Sequence, residues 1–174
     1  MQQQEKWDWT PGQKKIGDFA AWPGTYPYME EPHVSDDGEQ IAAIAQTGEE
    51  EFSVCVNGQV WETRFDKVWN LRFAPDHRIL ALVSDTAMWT VAINGAAWEN
   101  WYEFVWNPQF CPASSHITVA AQQELRYRAV TDDNPWENDF FALNHLTISP
   151  DGRFSAAVVQ DAALPEADID NFQK

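Results

Sequence analysis

Short apolar runs alternate with turn residues along the chain, and the clearest set lies between residues 71 and 100. Four runs follow one another there: LRFA (71–74), ILALVS (79–84), MWTVAI (88–93) and AAWEN (96–100). Pro75-Asp76 begins a turn after the first run, and Asn94-Gly95 separates the last two. Asn-Gly between apolar strands predicts a two-residue type I′ hairpin turn. The pattern therefore predicts four short antiparallel strands rather than helices.

The same set of runs returns with a period of about 38 residues. The pair Trp-Glu recurs at 61–62, 98–99 and 136–137, in steps of 37 and 38 residues. A turn marker recurs in parallel, as SDDG (35–38), APDH (74–77), CPAS (111–114) and SPDG (149–152). Two markers with one period indicate a repeat protein, and four short strands per repeat are typical of a propeller blade. We therefore expect an all-β, WD40-like β-propeller with four blades.

The predicted single domain, 1–174, divides at these markers. The expected segments are a hairpin at 5–22, blades 1 to 3 at 32–65, 70–102 and 107–140, the inner half of blade 4 at 145–160, and a polar tail at 161–174. Aligning Gly12 with Gly58 makes the hairpin match the two outer strands that blade 4 lacks. We expect the hairpin to pair with the C-terminal half-blade and close the ring, which removes exposed sheet edges. The alternatives are a fragment of a longer protein and a ring shared by two chains.

Tryptophan recurs at equivalent repeat positions, which favours packing between blades because each indole buries a large area. The repeat set is Trp61, Trp98 and Trp136 on the fourth strand, Trp69 and Trp106 in the link to the next blade with Trp22 roughly equivalent to them, and the turn glycines Gly58 and Gly95. In the third repeat Asp132 and Asp133 replace Asn-Gly. We expect a longer and less regular loop there.

Aromatic residues that do not recur are better candidates for contact with a partner. This group also includes residues of the Pro-rich link before blade 1, since loops on a rigid scaffold often carry function. The candidate contact residues are Trp7, Trp9, Tyr26, Tyr28, Met29, Glu30, Glu31 and Trp101. For the link, the alternative is that it only spans the join of the ring.

Composition narrows the function classes. The chain has 27 acidic and 11 basic residues, and its net charge of −16 argues against nucleic acid and anionic membrane surfaces. No stretch approaches the roughly 18–20 apolar residues that span a bilayer, and no secretory signal is visible. The two cysteines and four histidines lack metal-ligand spacing. We expect a cytoplasmic protein without cofactor, metal or catalytic residue.

The segments VNGQVWETRFDKVWNLRFAPD (56–76) and INGAAWENWYEFVWNP (93–108) resemble the tryptophan-rich subunit of the Tmc transmembrane electron-transfer complex of sulfate-reducing bacteria. The resemblance covers roughly residues 5–160. It implies an accessory cytoplasmic subunit, held at the inner face of the plasma membrane by other subunits. Those partners would be a multihaem cytochrome c, a cytochrome b-type membrane protein and an iron–sulfur protein.

The chain has two cysteines and no C-x-x-C-H motif, which agrees with haems and clusters that belong to other subunits. We therefore expect a non-catalytic protein-interaction scaffold in a membrane-bound redox complex. The alternative is a propeller that binds carbohydrate or another small ligand on exposed Trp faces.

Overall fold

The computed structural model describes residues 15–18, 21–22 and 25–163, and this part of the chain is all-β. Its strands are β1 (Met29–Val34), β2 (Ile41–Gly48), β3 (Glu51–Val56), β4 (Gln59–Val60), β5 (Lys67–Phe73), β6 (Ile79–Asp85), β7 (Met88–Ile93), β8 (Ala96–Ala97), β9 (Phe104–Phe110), β10 (Ile117–Gln123), β11 (Arg126–Thr131), β12 (Asn134–Pro135), β13 (Ala142–Ile148) and β14 (Ser155–Gln160). No helix in the described ranges is long and apolar enough to cross a membrane.

The strands form antiparallel sheets in chain order. Sheet 1 contains β1–β4, sheet 2 contains β5–β8, sheet 3 contains β9–β12, and sheet 4 contains β13 and β14. The prediction of an all-β chain with four-stranded antiparallel sheets is confirmed. In each complete sheet the turn between the second and third strands lies at one end, which we call the upper end. The other turns lie at the lower end.

The two predicted Asn-Gly turns are confirmed. Asn57 and Gly58 have φ of 49° and 89°, and Asn94 and Gly95 have φ of 49° and 90°, so both central residues are left-handed. The Asn57 carboxamide accepts the N–H of Ile41 at 2.9 Å, and Asn94 repeats this bond in sheet 2. The turn between the third and fourth strands is thereby tied to the start of the second strand.

The longer loop expected at Asp132-Asp133 is wrong. These residues form the same two-residue turn, with φ of 46° and 67°. Asp132 Oδ1 accepts the N–H of Ile117 at 2.9 Å, as the asparagines do in the other sheets. Aspartate can substitute because its short side chain offers the same acceptor and tolerates the left-handed conformation.

Each first strand contains a bulge that the sequence pattern did not reveal. The bulge residues have left-handed φ of 48° to 55°, and they are Glu31, Asn70, Asn107 and His145. The first strands begin at residues 29, 67, 104 and 142, three residues before the predicted starts. A bulge interrupts the two-residue alternation of side chains. The apolar pattern after the bulge therefore looked like the whole strand.

The sheets pack face to face in chain order, and their second strands are buried on both faces. On β6, Ala81 and Val83 belong to the core cluster shared with sheet 1, whereas Leu80 and Leu82 belong to the cluster shared with sheet 3. All four residues are 0% exposed. Another cluster, around Leu143, joins sheet 4 to sheet 3.

Sheet 4 differs from the others because, among the described residues, no strand pairs with one of its edges and one of its faces has no neighbouring sheet. Val158 of β14 is 62% exposed, although Leu82 at the equivalent position of β6 is fully buried. Within the described ranges β14 pairs only with β13. Most of the predicted hairpin at 5–22 lies outside the described residues, and its described parts, 15–18 and 21–22, contain no strand.

Replacing Gly95 by alanine should destabilise the protein for two reasons. Its φ of 90° is unfavourable for alanine, and an added Cβ would lie 3.1 Å from Cγ of Trp61. Gly38→Ala is the matched control, because Gly38 has φ of 70° but no atom within 4 Å of the added Cβ. In urea titrations we expect Gly95→Ala to lower the free energy of unfolding by about 1–3 kcal/mol more than Gly38→Ala does. Equal losses would contradict the contact with Trp61.

Candidate functional site

The fourth-strand tryptophans pack where consecutive sheets meet. Trp61 and Trp98 lie against the core clusters on the two sides of sheet 2, and Trp136 packs against the cluster between sheets 3 and 4. The Trp136 indole N–H also donates to Ser155 Oγ at 2.9 Å. These partly buried side chains join neighbouring sheets, as the repeat predicts.

Trp22 belongs with this group rather than with Trp69. It is only 8% exposed, and its indole lies 3.4 Å from the Cβ position of Gly58, as Trp61 lies against Gly95. The sequence contained a signal for this equivalence, because every such tryptophan has Tyr or Phe four residues later. The alignment of Trp22 with Trp69 is therefore replaced by one with Trp61.

Three candidate contact residues of the link have structural contacts instead. Tyr26 and Met29 pack against the cluster that contains Trp22. Burial raises the pKa of the Cys55 thiol in this cluster, which keeps the thiol protonated. Glu31 accepts the N–H of Leu71 at 2.9 Å and so joins the first strands of sheets 1 and 2.

The other candidates are more dispersed. Tyr28 is 52% exposed and donates to Glu30 Oε2 at 3.0 Å. Trp101 is half-buried against the cluster between sheets 1 and 2. Trp7 and Trp9 lie outside the described residues. The structure therefore does not bring the eight candidates together in one described surface.

Three exposed aromatic side chains lie at the upper end of sheets 2 to 4. Trp69, Phe104 and Phe141 are 43%, 40% and 41% exposed. Phe104 stacks on Trp106 with ring centroids 5.8 Å apart and meets the edge of Trp89 at 6.0 Å. An aromatic surface thus extends from sheet 2 to sheet 4, and the repeat pattern alone did not separate it from the core.

The part of this surface at sheets 3 and 4, which we call the apical patch, consists of Phe104, Leu125, Arg126 and Phe141. Leu125 is 76% exposed at the tip of its turn. The Arg126 guanidinium lies 3.9 Å from the ring centroid of Phe141, and its Nε donates to Asp139 at 2.8 Å. The patch therefore presents large apolar groups together with a cation that Asp139 and Phe141 hold in position.

An open groove lies beside this surface, between sheets 1 and 2. It has a main part of about 720 Å³ and a smaller part of about 300 Å³, and both are lined by Phe52, Lys67 and Trp89. Trp69 lines the smaller part, and Glu50, like other polar side chains, lines the larger one. Grooves of this size accommodate small ligands.

The acidic turns at the lower end use their carboxylates internally. Asp37 Oδ1 accepts the Ser35 hydroxyl at 2.6 Å and the Glu39 N–H at 3.0 Å, and Ser149 and Asp151 repeat the hydroxyl bond. Hydrogen bonds from these serines lower the pKa of both carboxyl groups. These internal hydrogen bonds indicate that the carboxylates of both segments stabilise their own turns. Among the described residues no group of three or more His, Cys, Asp and Glu could hold a metal ion.

The nearest approach to a nucleophile and base lies where sheets 3 and 4 meet. His116 Nδ1 bonds to Asp132, and a Cβ added at Gly152 would lie 2.6 Å from His116 and 3.2 Å from the sulfur of Cys111. Cys111 is 0% exposed, and its thiol donates to the Pro150 carbonyl at 3.1 Å. The arrangement packs two turns tightly together rather than presenting a thiol to a substrate.

The sequence matches no protein-family model and no curated protein. The resemblance to the Tmc subunit therefore stays a prediction.

Two tryptophans provide a test of this division between core and surface. Trp22→Ala should cost about 3–5 kcal/mol of unfolding free energy, because it empties a buried site. Trp69→Ala should cost less than about 1 kcal/mol, since its side chain is 43% exposed. Chemical denaturation of both variants beside the parent measures the difference. Similar losses would show that Trp69 also packs in the core.

Stability should fall in acid, in part through Asp139. Hydrogen bonding to Arg126, with the nearby Arg128, lowers its pKa from the ordinary value of 3.8. Because the pKa is lower in the folded state, its contribution is present above about pH 4 and is lost as the carboxylate protonates. Asp139→Asn should therefore lower the melting temperature at pH 7 and make less difference at pH 3.

The control for this experiment is Asp36→Asn, because the exposed carboxylate of Asp36 makes no hydrogen bond within the described ranges. Its effect should be small at both pH values. If Asp139→Asn lowered the melting temperature by the same amount at pH 7 and at pH 3, the stabilising role of the ionised carboxylate would be contradicted.

Proposed function

We propose that this chain is a non-catalytic protein-interaction scaffold, whose sheets are the blades of a β-propeller and whose apical patch contacts a partner protein. The observation that carries the proposal is the exposure of Phe104, Leu125 and Phe141 at one end of the sheets, with the Arg126 guanidinium over the Phe141 ring. Aromatic and arginine side chains dominate the binding energy of protein interfaces. A rigid sheet end that presents them together is suited to docking.

The charge around the patch indicates the chemistry of the partner. Glu103 and Glu124 are exposed beside it, in a chain of net charge −16. Complementary potentials steer association and suppress wrong partners. The fitting partner surface is apolar at its centre and basic at its rim. The resemblance in sequence suggests the subunits of a membrane-bound redox complex, with the scaffold on the cytoplasmic side and the haems and iron–sulfur clusters in its partners.

Capture from native membranes tests both parts of this proposal. The bait is the parent chain, compared with a Leu125→Ala, Phe141→Ala double variant. The matched control is Val34→Ala, which changes an apolar residue that is 57% exposed at the lower end of sheet 1. We expect the parent and control to retain a haem or iron–sulfur protein and the double variant to lose it. A partner retained equally by all three would exclude the patch, and eluates free of haem and iron–sulfur protein would exclude the redox complex.

The same proposal includes a closed ring of four blades. Trp22 lies against Gly58 as Trp61 lies against Gly95, and a Cβ at Gly17 would lie 3.1 Å from Ile41. Residues 17 and 22 thus occupy, beside sheet 1, the place that the outer strands of a preceding sheet would take. Sheet 4 lacks outer strands within the described residues. Supply of those strands by the N-terminal segment would pair the edge of β14, and closure of the ring would bring sheet 1 onto the face that exposes Val158.

Hydrogen exchange at the amides of β14 tests the closure. In a closed ring the outward amides of residues 155–160 should exchange slowly in the full chain, and deletion of residues 1–16 should make them fast. Deletion of residues 165–174 is the control and should have no such effect. Fast exchange in the parent would mean an open edge. Protection that disappears on dilution would mean that two chains share the ring.

A further inference from the structure

The groove between sheets 1 and 2 is open at a place that the next repeat fills. Lys67 pairs with Ser84 at the start of its first strand, as Phe104 pairs with Gln122 in sheet 3. Phe104 covers its neighbours, with its ring stacked on Trp106 at 5.8 Å. Lys67 does not cover its neighbours in this way, and Trp69 stays 43% exposed.

The groove combines aromatic walls with polar groups of both kinds. Phe52, Trp69 and Trp89 supply the apolar surface. The carboxylates of Glu50 and Asp66 lie beside it, and Asp66 Oδ2 accepts the Thr86 N–H at 2.8 Å. Hydrogen-bond acceptors and flat apolar faces therefore line one cavity.

The groove contains a cation, Lys67, whose contacts bear on the ligand. Within the described part of the chain, the ammonium group of Lys67 has no hydrogen-bond acceptor or ion-pair partner, although acidic side chains are in large excess. An ammonium group has three donors and no acceptor, so Lys67 can donate to a ligand without breaking an existing bond.

These groups select the class of ligand by charge. Lys67 disfavours a cation, which would otherwise suit an acidic groove with aromatic walls. Glu30, Glu50 and Asp66, in a chain of net charge −16, disfavour an anion. A neutral ring with several hydroxyl groups fits both conditions, since each hydroxyl donates to a carboxylate or accepts from an ammonium group.

We propose that this groove is a binding site for a neutral saccharide. The apolar C–H faces of the sugar rings lie on Trp69 and Trp89, because an indole offers a broad apolar surface at little entropic cost. Glu50, Asp66 and Lys67 bond to the hydroxyl groups. The main part of the groove, at about 720 Å³, has room for more than a single sugar ring. The site is separate from the protein contact made by Leu125 and Phe141.

Isothermal calorimetry of the full chain with cellohexaose, maltohexaose and chitohexaose tests the proposal, because these neutral oligomers differ in linkage and substituents. At least one should bind with measurable heat. Lys67→Phe, which places in the groove the residue that fills the equivalent site of sheet 3, should weaken binding at least tenfold. Trp69→Ala should do the same and provides a second test if Lys67→Phe does not fold, as judged by circular dichroism.

Leu125→Ala is the control. It should leave the affinity for the saccharide unchanged and weaken the binding of the protein partner. Absence of heat with all three oligosaccharides at millimolar concentration would overturn the proposal. Binding that survives both Lys67→Phe and Trp69→Ala would also overturn it, since the sugar would then bind elsewhere. Tighter binding of adenosine or choline than of any oligosaccharide would assign the groove to a different class of ligand.

Discussion

Burial of each second strand on both faces is the constraint on which the rest of this structure depends. In β6 six consecutive residues, 79–84, are buried, which a single sheet in water cannot achieve. One face needs the preceding sheet and the other needs the following sheet, so the units are stable only as a stack. The constraint also makes the ends of the stack informative. The exposed Val158 of sheet 4 lies on a face with no neighbouring sheet among the described residues, and Trp22 covers the outer face of sheet 1 at the other end of the stack.

The lower-end turns hold neighbouring sheets together through two different sets of contacts. In sheet 2 the turn glycine Gly95 leaves room for Trp61, and its carbonyl accepts the Thr63 hydroxyl at 2.9 Å. In sheet 3 Asp133 stands at the glycine position, and its carboxylate accepts the N–H groups of Glu99 and Asn100 at 2.7 and 3.2 Å. Both arrangements hold the outer strand of one sheet to the turn of the next. The turn sequence can therefore vary while the contact between sheets persists.

Patterns local in sequence predicted much of the fold, because short strands and type I′ turns depend on neighbouring residues. Strand number, strand order and the Asn-Gly turns follow from such patterns. The bulges do not, since a left-handed Asn70 or His145 leaves no mark that alternation can detect. The equivalence of Trp22 with Trp61 was missed because the alignment was based on a glycine rather than on the aromatic residue four positions after each tryptophan. The open groove was beyond prediction, because it depends on which side chain fills a space between two sheets.

Some residues at equivalent repeat positions preserve a packing contact, and others do not. One cross-strand site holds Glu51 and Arg64 in sheet 1 and Arg126 and Asp139 in sheet 3, with the charges reversed. These exchanges preserve a contact, so packing explains them. Lys67 at the position of Phe104 is different, because it leaves Trp69 exposed where the next repeat buries the corresponding indole more deeply. Leaving apolar area in water costs about 25 cal/mol per Å². Packing alone would favour an aromatic residue at the position of Lys67. A ligand in the groove would cover Trp69 and so explain an exposure that the fold does not explain.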